Sequence, residues 1–137
     1  MNIQTSVVIP CFNEALGVKK TLSEIFHVFG DKKDFEVIAV DDGSSDETLT
    51  TLQEIASKTP ALRVLENKTN KGYGASLKKG ILVAKGNFIV ITDADGTYPA
   101  TFIPQLLERA KECQMAVGSR TGKNVNIPLL RRPAKWV

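Results

Sequence analysis

Short apolar runs alternate with segments of helical period along most of the chain. The runs are SVVI at 6–9, VIAV at 37–40, RVLE at 63–66, FIVI at 88–91 and MAVG at 115–118. Several are apolar at consecutive positions, the pattern of strands covered on both faces of a parallel sheet. Between the first two, Val18, Leu22, Ile25, Phe26 and Phe29 share one helical stripe. Leu49, Leu52, Ile55 and Ala56 form a second stripe, Tyr73, Leu77, Ile81 and Ala84 a third, and Ile103, Leu106, Leu107 and Ala110 a fourth. Ser44 followed by Glu47 has the spacing of a capping box opening the second helix, and Asn13 is a candidate cap for the first. This alternation, with right-handed crossovers, predicts a three-layer α/β/α fold around a mostly parallel sheet. Only the tail TGKNVNIPLLRRPAKWV loses the rhythm. One domain is therefore expected over 1–120, with a basic and apolar tail over 121–137.

The polar clusters obey one rule. Residues 10–14 follow the first run, 41–46 the second, 67–74 the third, 93–99 the fourth, and Gly118-Ser119-Arg120 the fifth. All fall at the carboxyl ends of strands, where open α/β sheets bind ligands. Composition sets the frame for that site. At 137 residues, with 42% hydrophobic and 24% charged content, the chain suits a single globular domain. A net charge of +3, with no basic run interleaved with aromatics, argues against nucleic acid as partner. Cys11 and Cys113 have neither disulfide-framework nor zinc-site spacing, which fits a reducing compartment. The start MNIQTSVVIP lacks the pattern of a signal peptide, and no stretch approaches the ~18 apolar residues of a membrane helix. A soluble, cytoplasmic domain is the expectation.

The clusters differ in how much chemistry they demand. In VDDGSSDET, a turn and a helix cap account for Ser44, Ser45 and Glu47, with Gly43 permitting positive φ. They do not account for the doubled Asp41-Asp42, since strand-end carboxylates in such folds commonly hydrogen-bond ribose or base edges. In NKGYGASLKKG, Gly72 and Gly74 open a helix, but the next glycine is Gly80 and the loop follows the third strand. That spacing does not match a dinucleotide fingerprint; the loop is expected to shape a pocket, with Lys71 facing an anionic ligand. PCFNEA reads as a strand exit whose Phe12 could stack on a planar base. DADGTYP is the sharpest cluster. Asp93 and Asp95 leave an apolar run one residue apart, and a bend at Gly96 would turn both carboxylates toward a common point. Two acids that close need water, a basic side chain or a cation to offset their repulsion. Their oxygens suit Mg²⁺ or Mn²⁺, which binds one or two carboxylates plus substrate phosphates. His27 lies on a helical stripe, and without it a serine–histidine triad has no base.

In this order and rhythm, VVIPCFNEA, VDDGSSDET, NKGYGASLKKG, DADGTYP and GSR resemble the inverting family 2 glycosyltransferases, and among them the polyprenol-phosphate glycosyltransferases. The resemblance runs from about residue 6 to residue 120. It implies the nucleotide-diphospho-sugar transferase fold, known as GT-A. It further implies that Pro10, Phe12 and Glu14 line the nucleoside pocket and that Asp41 and Asp42 hold base and ribose. Residues 72–75, including Gly72 and Gly74, would close that side. Asp93 and Asp95 match the metal-holding aspartate motif, and Arg120 the arginine that faces phosphate. Thr97 stands where many relatives carry a glutamine metal ligand, and Ala100 where they carry a second proline.

The function this implies is metal-dependent, inverting transfer of a sugar from a UDP- or GDP-linked donor to an acceptor, a polyprenyl phosphate by resemblance. Two rivals are a sugar-nucleotide pyrophosphorylase and a noncatalytic nucleotide-sugar-binding domain. The first would carry a glycine-rich, arginine-containing signature where this chain has PCFNEA, and Asp93, Asp95 and Arg120 count against the second. The sequence ends on IPLLRRPAKWV, whose apolar and basic residues suit a membrane surface. Peripheral membrane contact is expected in a longer protein, at a cytoplasmic face, with Arg131 or Arg132 reaching the acceptor phosphate. The chain is expected to be a fragment that binds donor and turns over poorly.

Overall fold

The structure, a computed structural model, describes residues 2–119. Its elements follow in the order β1 (Thr5–Cys11), α1 (Ala15–Phe29), β2 (Phe35–Asp41), α2 (Thr48–Ala56), β3 (Leu62–Glu66), α3 (Tyr73–Val83) and β4 (Phe88–Ile91). A 3₁₀ turn (Ala100–Phe102) then leads into α4 (Ile103–Ala110). The sheet is parallel throughout, in the order β3-β2-β1-β4. The chain steps outward from β1 to β3, then returns to the other side of β1. The carboxyl ends of β1 and β4 therefore flank a topological switch point, where open sheets of this kind leave a crevice.

Strand alternation divides the two faces. Val7, Ile9 and Cys11 of β1 and Val37 and Ala39 of β2 share one core with Val18, Leu22 and Ile25 of α1, Leu52 of α2 and Ile103 of α4. Their neighbours Val8, Ile38 and Val40 face α3, so helices cover both sides as the pattern predicts. Each buried Val, Ile or Leu contributes about 1.5–3 kcal/mol. That places the wholly buried β1 and β2 at the centre of the sheet.

Three expectations are corrected here. The third helix buries Ser76 and Gly80 rather than its large apolar stripe, and Tyr73 and Ile81 are exposed. A Cβ on Gly80 would lie 2.5 Å from Val8 Cγ1 and 3.2 Å from Val40 Cγ2. The helix sits so close to the sheet that only small side chains fit beneath it. The run at 115–118 forms no strand, and Met115 and Val117 are exposed. Among the described residues β4 is the sheet edge, paired with β1 alone, and this run does not add to it. Third, the Ser44–Glu47 capping box does not form, because α2 begins at Thr48 without a side-chain cap from its N-cap residue Glu47. Ser44 and Asn13 are committed to each other's loops instead.

The amino edge of the sheet is closed by a buried acid. Glu36 accepts from Ser6 Oγ at 2.8 Å, Lys85 N–H at 2.8 Å and Arg63 at 3.0 Å, while Arg63 also donates to the Val83 carbonyl at 3.1 Å. Burial pushes this carboxyl up, but the donors outweigh it and hold it below its ordinary value. This knot fastens the α3–β4 connection, and with it the direction in which β4 delivers its polar end.

Candidate functional site

The loops after β1 and β2 are sewn to one another. Asn13 adopts positive φ (55°), which a non-glycine residue holds only with support. Its N–H donates to Ser44 Oγ at 3.0 Å, and its Oδ1 accepts from Ser45 N–H at 2.8 Å. Asp46 bridges the same seam, accepting from Thr48 N–H at 2.9 Å and Ala15 N–H at 3.3 Å. Thr48 Oγ1 accepts from Glu14 N–H at 2.8 Å. Hydrogen bonds led by the Thr48 hydroxyl hold the Asp46 carboxyl below its ordinary value. Asp46 thus supplies the first turns of both α1 and α2 with an acceptor near their exposed N–H groups.

The doubled acid of β2 is divided in its tasks. Asp41 is buried; its Oδ2 accepts from Gly43 and Ser44 N–H at 3.2 Å each, and its Oδ1 has no hydrogen-bond partner. It shapes the turn from within. Asp42, 3% exposed, closes the opposite loop. Its Oδ1 accepts from Asn67 Nδ2 at 2.8 Å and Lys71 N–H at 3.0 Å, and its Oδ2 from Gly72 N–H at 2.8 Å. Burial pushes its carboxyl up, and donors from Lys71, Asn67, Ser76 and Gly72 more than reverse this, so its pKa is lowered. Asn67 is itself buried; it also donates to Ser76 Oγ at 3.0 Å and accepts from Lys79 Nζ at 2.9 Å. Those bonds tie the ends of β2 and β3 to α3.

Beyond β4 the chain turns at Ala94 and Asp95. Ala94 points inward, 3% exposed, its carbonyl accepting from Thr21 Oγ1 at 3.2 Å. Asp93 and Asp95 on either side of it both border one cavity. Gly96 takes positive φ (70°), and its carbonyl accepts from Lys20 Nζ at 3.3 Å. Asp95 Oδ1 accepts from Thr97 N–H at 2.9 Å and Thr97 Oγ1 at 2.7 Å. Asp93 Oδ1 accepts from the Tyr73 hydroxyl at 3.0 Å. Burial, this hydrogen bond and the nearby Asp93 charge push the Tyr73 phenol up to about 12, so it stays a donor at neutral pH. Gly17 of α1 abuts this turn from below. A Cβ there would lie 2.7 Å from the Ala94 carbonyl oxygen and 2.9 Å from Asp95 Cα.

The cavity, about 330 Å³, lies at the switch point between β1 and β4. Pro10, Phe12 and Glu14 form its β1 wall, Asp42, Gly72 and Tyr73 its α3 wall, and Asp93 and Asp95 its β4 wall. Phe12 (47%) and Tyr73 (53%) leave their rings open to solvent. The structure thus brings together most of the residues singled out in the sequence. Asp41, Lys71 and Gly74 are not among the lining residues, Lys71 being exposed and Gly74 lying in the first turn of α3. Arg120, Arg131, Arg132 and the tail 121–137 lie outside the described residues. Cys11 also borders the cavity, but burial, with Asp41 and Glu14 behind it, pushes its thiol up to about 12, leaving no thiolate at neutral pH. Sequence reading missed Gly17, and it had Asn67 and Tyr73 only as members of the loop after β3, without their individual contacts. A glycine inside a helical stripe signals a packing need, but nothing local shows which element Asn67 or Tyr73 reaches.

Comparison with known proteins fits this geometry. The profile of the family described as Glycosyl transferase family 2 matches residues 6–136. A dolichol-phosphate mannosyltransferase of Pyrococcus furiosus is 34% identical over 134 residues, 95% of this chain and 38% of that protein. One from Saccharomyces cerevisiae is 29% identical over 138 residues, 96% of this chain and 52% of that protein. A mannosyltransferase from Pyrobaculum calidifontis, solved with GDP-Man and Mn²⁺, aligns at a TM-score of 0.66 and 30% identity over 74% of this chain and 30% of its own. The chain spans at most about half the length of these relatives. No helix among the described residues is long and apolar enough to cross a membrane. The chain, with its α/β fold of GT-A type, belongs to glycosyl transferase family 2.

Proposed function

We propose that this chain is the donor-binding part of a glycosyltransferase that moves a sugar from a UDP- or GDP-linked donor to a polyprenyl phosphate, with inversion at the anomeric carbon. The observation that carries the reading is the cavity at the switch point, with Pro10 and Phe12 on its β1 wall and Asp93 and Asp95 on its β4 wall. A nucleoside fits the first wall, where Pro10 and Phe12 meet the base and Glu14, Asp42 and Gly72 border it; Asp41 fixes the turn behind. A diphosphate fits the second, with Arg120 as a cation of the donor site.

The acid end suits Mg²⁺ or Mn²⁺. Its donors are hard carboxylate oxygens, and both acids keep one oxygen fixed by Tyr73 or Thr97, which orients the remainder. Among the described residues no group of three acidic, His or Cys side chains could hold a metal. Two carboxylates, with phosphate oxygens and water completing the shell, match how Mg²⁺ is usually held. When bound, the ion would neutralise charge on the departing diphosphate. Thr97 Oγ1 donates to Asp95 Oδ1 and so fixes that acid.

A polyprenyl phosphate acceptor is largely ionised at neutral pH, since phosphate monoesters titrate at a pKa of about 6. Its oxygen attacks without a general base, and the cavity offers no histidine to serve as one. Residues 121–137, basic and apolar, would meet the membrane surface at its cytoplasmic face, with Arg131 or Arg132 at the acceptor phosphate. Both relatives named for dolichol phosphate support this acceptor class. The test is a panel of UDP- and GDP-sugars with a polyprenyl phosphate, using the longest natural protein that contains this chain. The reading requires a metal-dependent lipid-linked sugar of inverted anomeric configuration. A retained configuration, or transfer unaffected by EDTA, would contradict it.

A further inference from the structure

The two ends of the cavity are joined by one side chain. Asp42 fixes Lys71 N–H and Gly72 N–H at 3.0 and 2.8 Å, and α3 begins at the next residue. Ser76 N–H donates to the Gly72 carbonyl at 3.2 Å, so the first turn of α3 is anchored at its outset. Tyr73 is the first residue of that turn, and its hydroxyl reaches Asp93 Oδ1 at 3.0 Å, on the loop after β4.

We propose that Tyr73 is a positioning residue that couples the nucleoside end of the site to its acid end: Asp42 sets the loop, the loop sets Tyr73, and Tyr73 sets the Asp93 carboxylate. This rests on the reading of Asp93 as a metal ligand. Hydrogen bonds to a ligating carboxylate fix its orientation, and their loss typically lowers metal affinity about 10–100-fold. Tyr73 is half exposed, so the lower end of that range applies. Its position in the chain serves neither the core nor the sheet. The bond to Asp93 is the feature that gives this exposed ring a fixed place.

Calorimetry with UDP and GDP, each with and without Mn²⁺, and with the matching nucleoside monophosphates without metal, tests the coupling. Tyr73→Phe is expected to lower the Mn²⁺-dependent gain in diphosphate affinity about tenfold and to raise the Mn²⁺ concentration at half-effect, while metal-free monophosphate binding stays within about twofold. Removal of one hydroxyl from an exposed ring leaves the fold intact, so a null result is informative. Asp95→Asn, measured alongside, separates the two levels. If Asp95→Asn loses the Mn²⁺ gain and Tyr73→Phe keeps it, the coupling is overturned and the metal reading stands. If both keep it, the metal reading falls and the coupling falls with it. A Tyr73→Phe variant whose monophosphate binding weakens as much as its diphosphate binding would make Tyr73 a wall of the nucleoside pocket and overturn the positioning role.

Discussion

Asp42 and Asp95 are the same residue type on the same cavity, yet the fold treats them in opposite ways. Asp42 is buried, and side-chain and backbone donors from the next loop engage both of its oxygens. Asp95 is exposed, with Oδ1 accepting from Thr97 two residues on. The first carboxylate is a component of the structure: its charge is matched inside the protein, and loops from β2 and β3 depend on it. The second lies exposed and is held through Oδ1 by its own turn, and its neighbour Asp93 accepts from a half-exposed tyrosine. Acids fastened by the backbone hold a wall in place; acids left at a rim are available to a cation.

That contrast can be broken from either side. The largest effect is expected from Asp42→Ala, which removes the acceptor shared by Lys71 N–H, Gly72 N–H and the Asn67 amide. Hydrogen bonds to a charged group contribute about 1.5–3 kcal/mol each, so a stability loss of about 3 kcal/mol is expected in urea denaturation. A loss under about 1 kcal/mol would show that the loop does not depend on this carboxylate. Next comes Asp95→Asn, whose stability should stay within about 0.5 kcal/mol of wild type, while the Mn²⁺-dependent part of diphosphate affinity falls by more than about tenfold. Unfolding of this variant would place Asp95 with the structural acids. Gly17→Ala sharpens the contrast by moving the rim without touching its charges. Overpacking against the Ala94 carbonyl offsets the helix-propensity gain of about 1 kcal/mol, so a net loss of about 1 kcal/mol is expected. Metal-dependent binding should weaken several-fold with monophosphate binding intact.

The smallest effect concerns pH. Because donors lower the Asp42 pKa in the folded state, its stabilisation is complete above the ordinary value of 3.8 and is lost as pH falls through the lower folded value. The stability difference between wild type and Asp42→Asn, followed by circular dichroism, should be flat near neutral pH and shrink only below 3.8. A difference that shrinks well above that value would mean the carboxylate is not held by the donors named.

Much of this was legible in the sequence where one period dominates. β1 and β2 read as continuous apolar runs because both faces are covered, and the α1 stripe of Val18, Leu22, Ile25 and Phe29 is buried as its spacing implies. Asp93 and Asp95 share one cavity as their spacing implies, although the chain turns at Ala94-Asp95 rather than continuing the strand. The failures have physical causes. Helix α3 packs through Ser76 and Gly80, and small residues carry no hydrophobic signal. The Ser44–Glu47 spacing was right for a local cap, but Ser44 is engaged by Asn13 of another loop, a contact no local rule contains. The run at 115–118 has strand composition but pairs with no strand among the described residues. The Asp41-Asp42 pair was singled out for its doubling, yet which acid faces the cavity depends on strand parity at the last residue of β2.

The central claim is that Asp93 and Asp95 form the metal-dependent end of a nucleotide-sugar site. Titration of this chain with GDP and UDP, in Mn²⁺ and in EDTA, tests it most directly. One of the two diphosphates should bind more than about tenfold more tightly in Mn²⁺, the gain disappearing in Asp95→Asn. Equal affinity in Mn²⁺ and in EDTA, for a diphosphate that does bind, would contradict it.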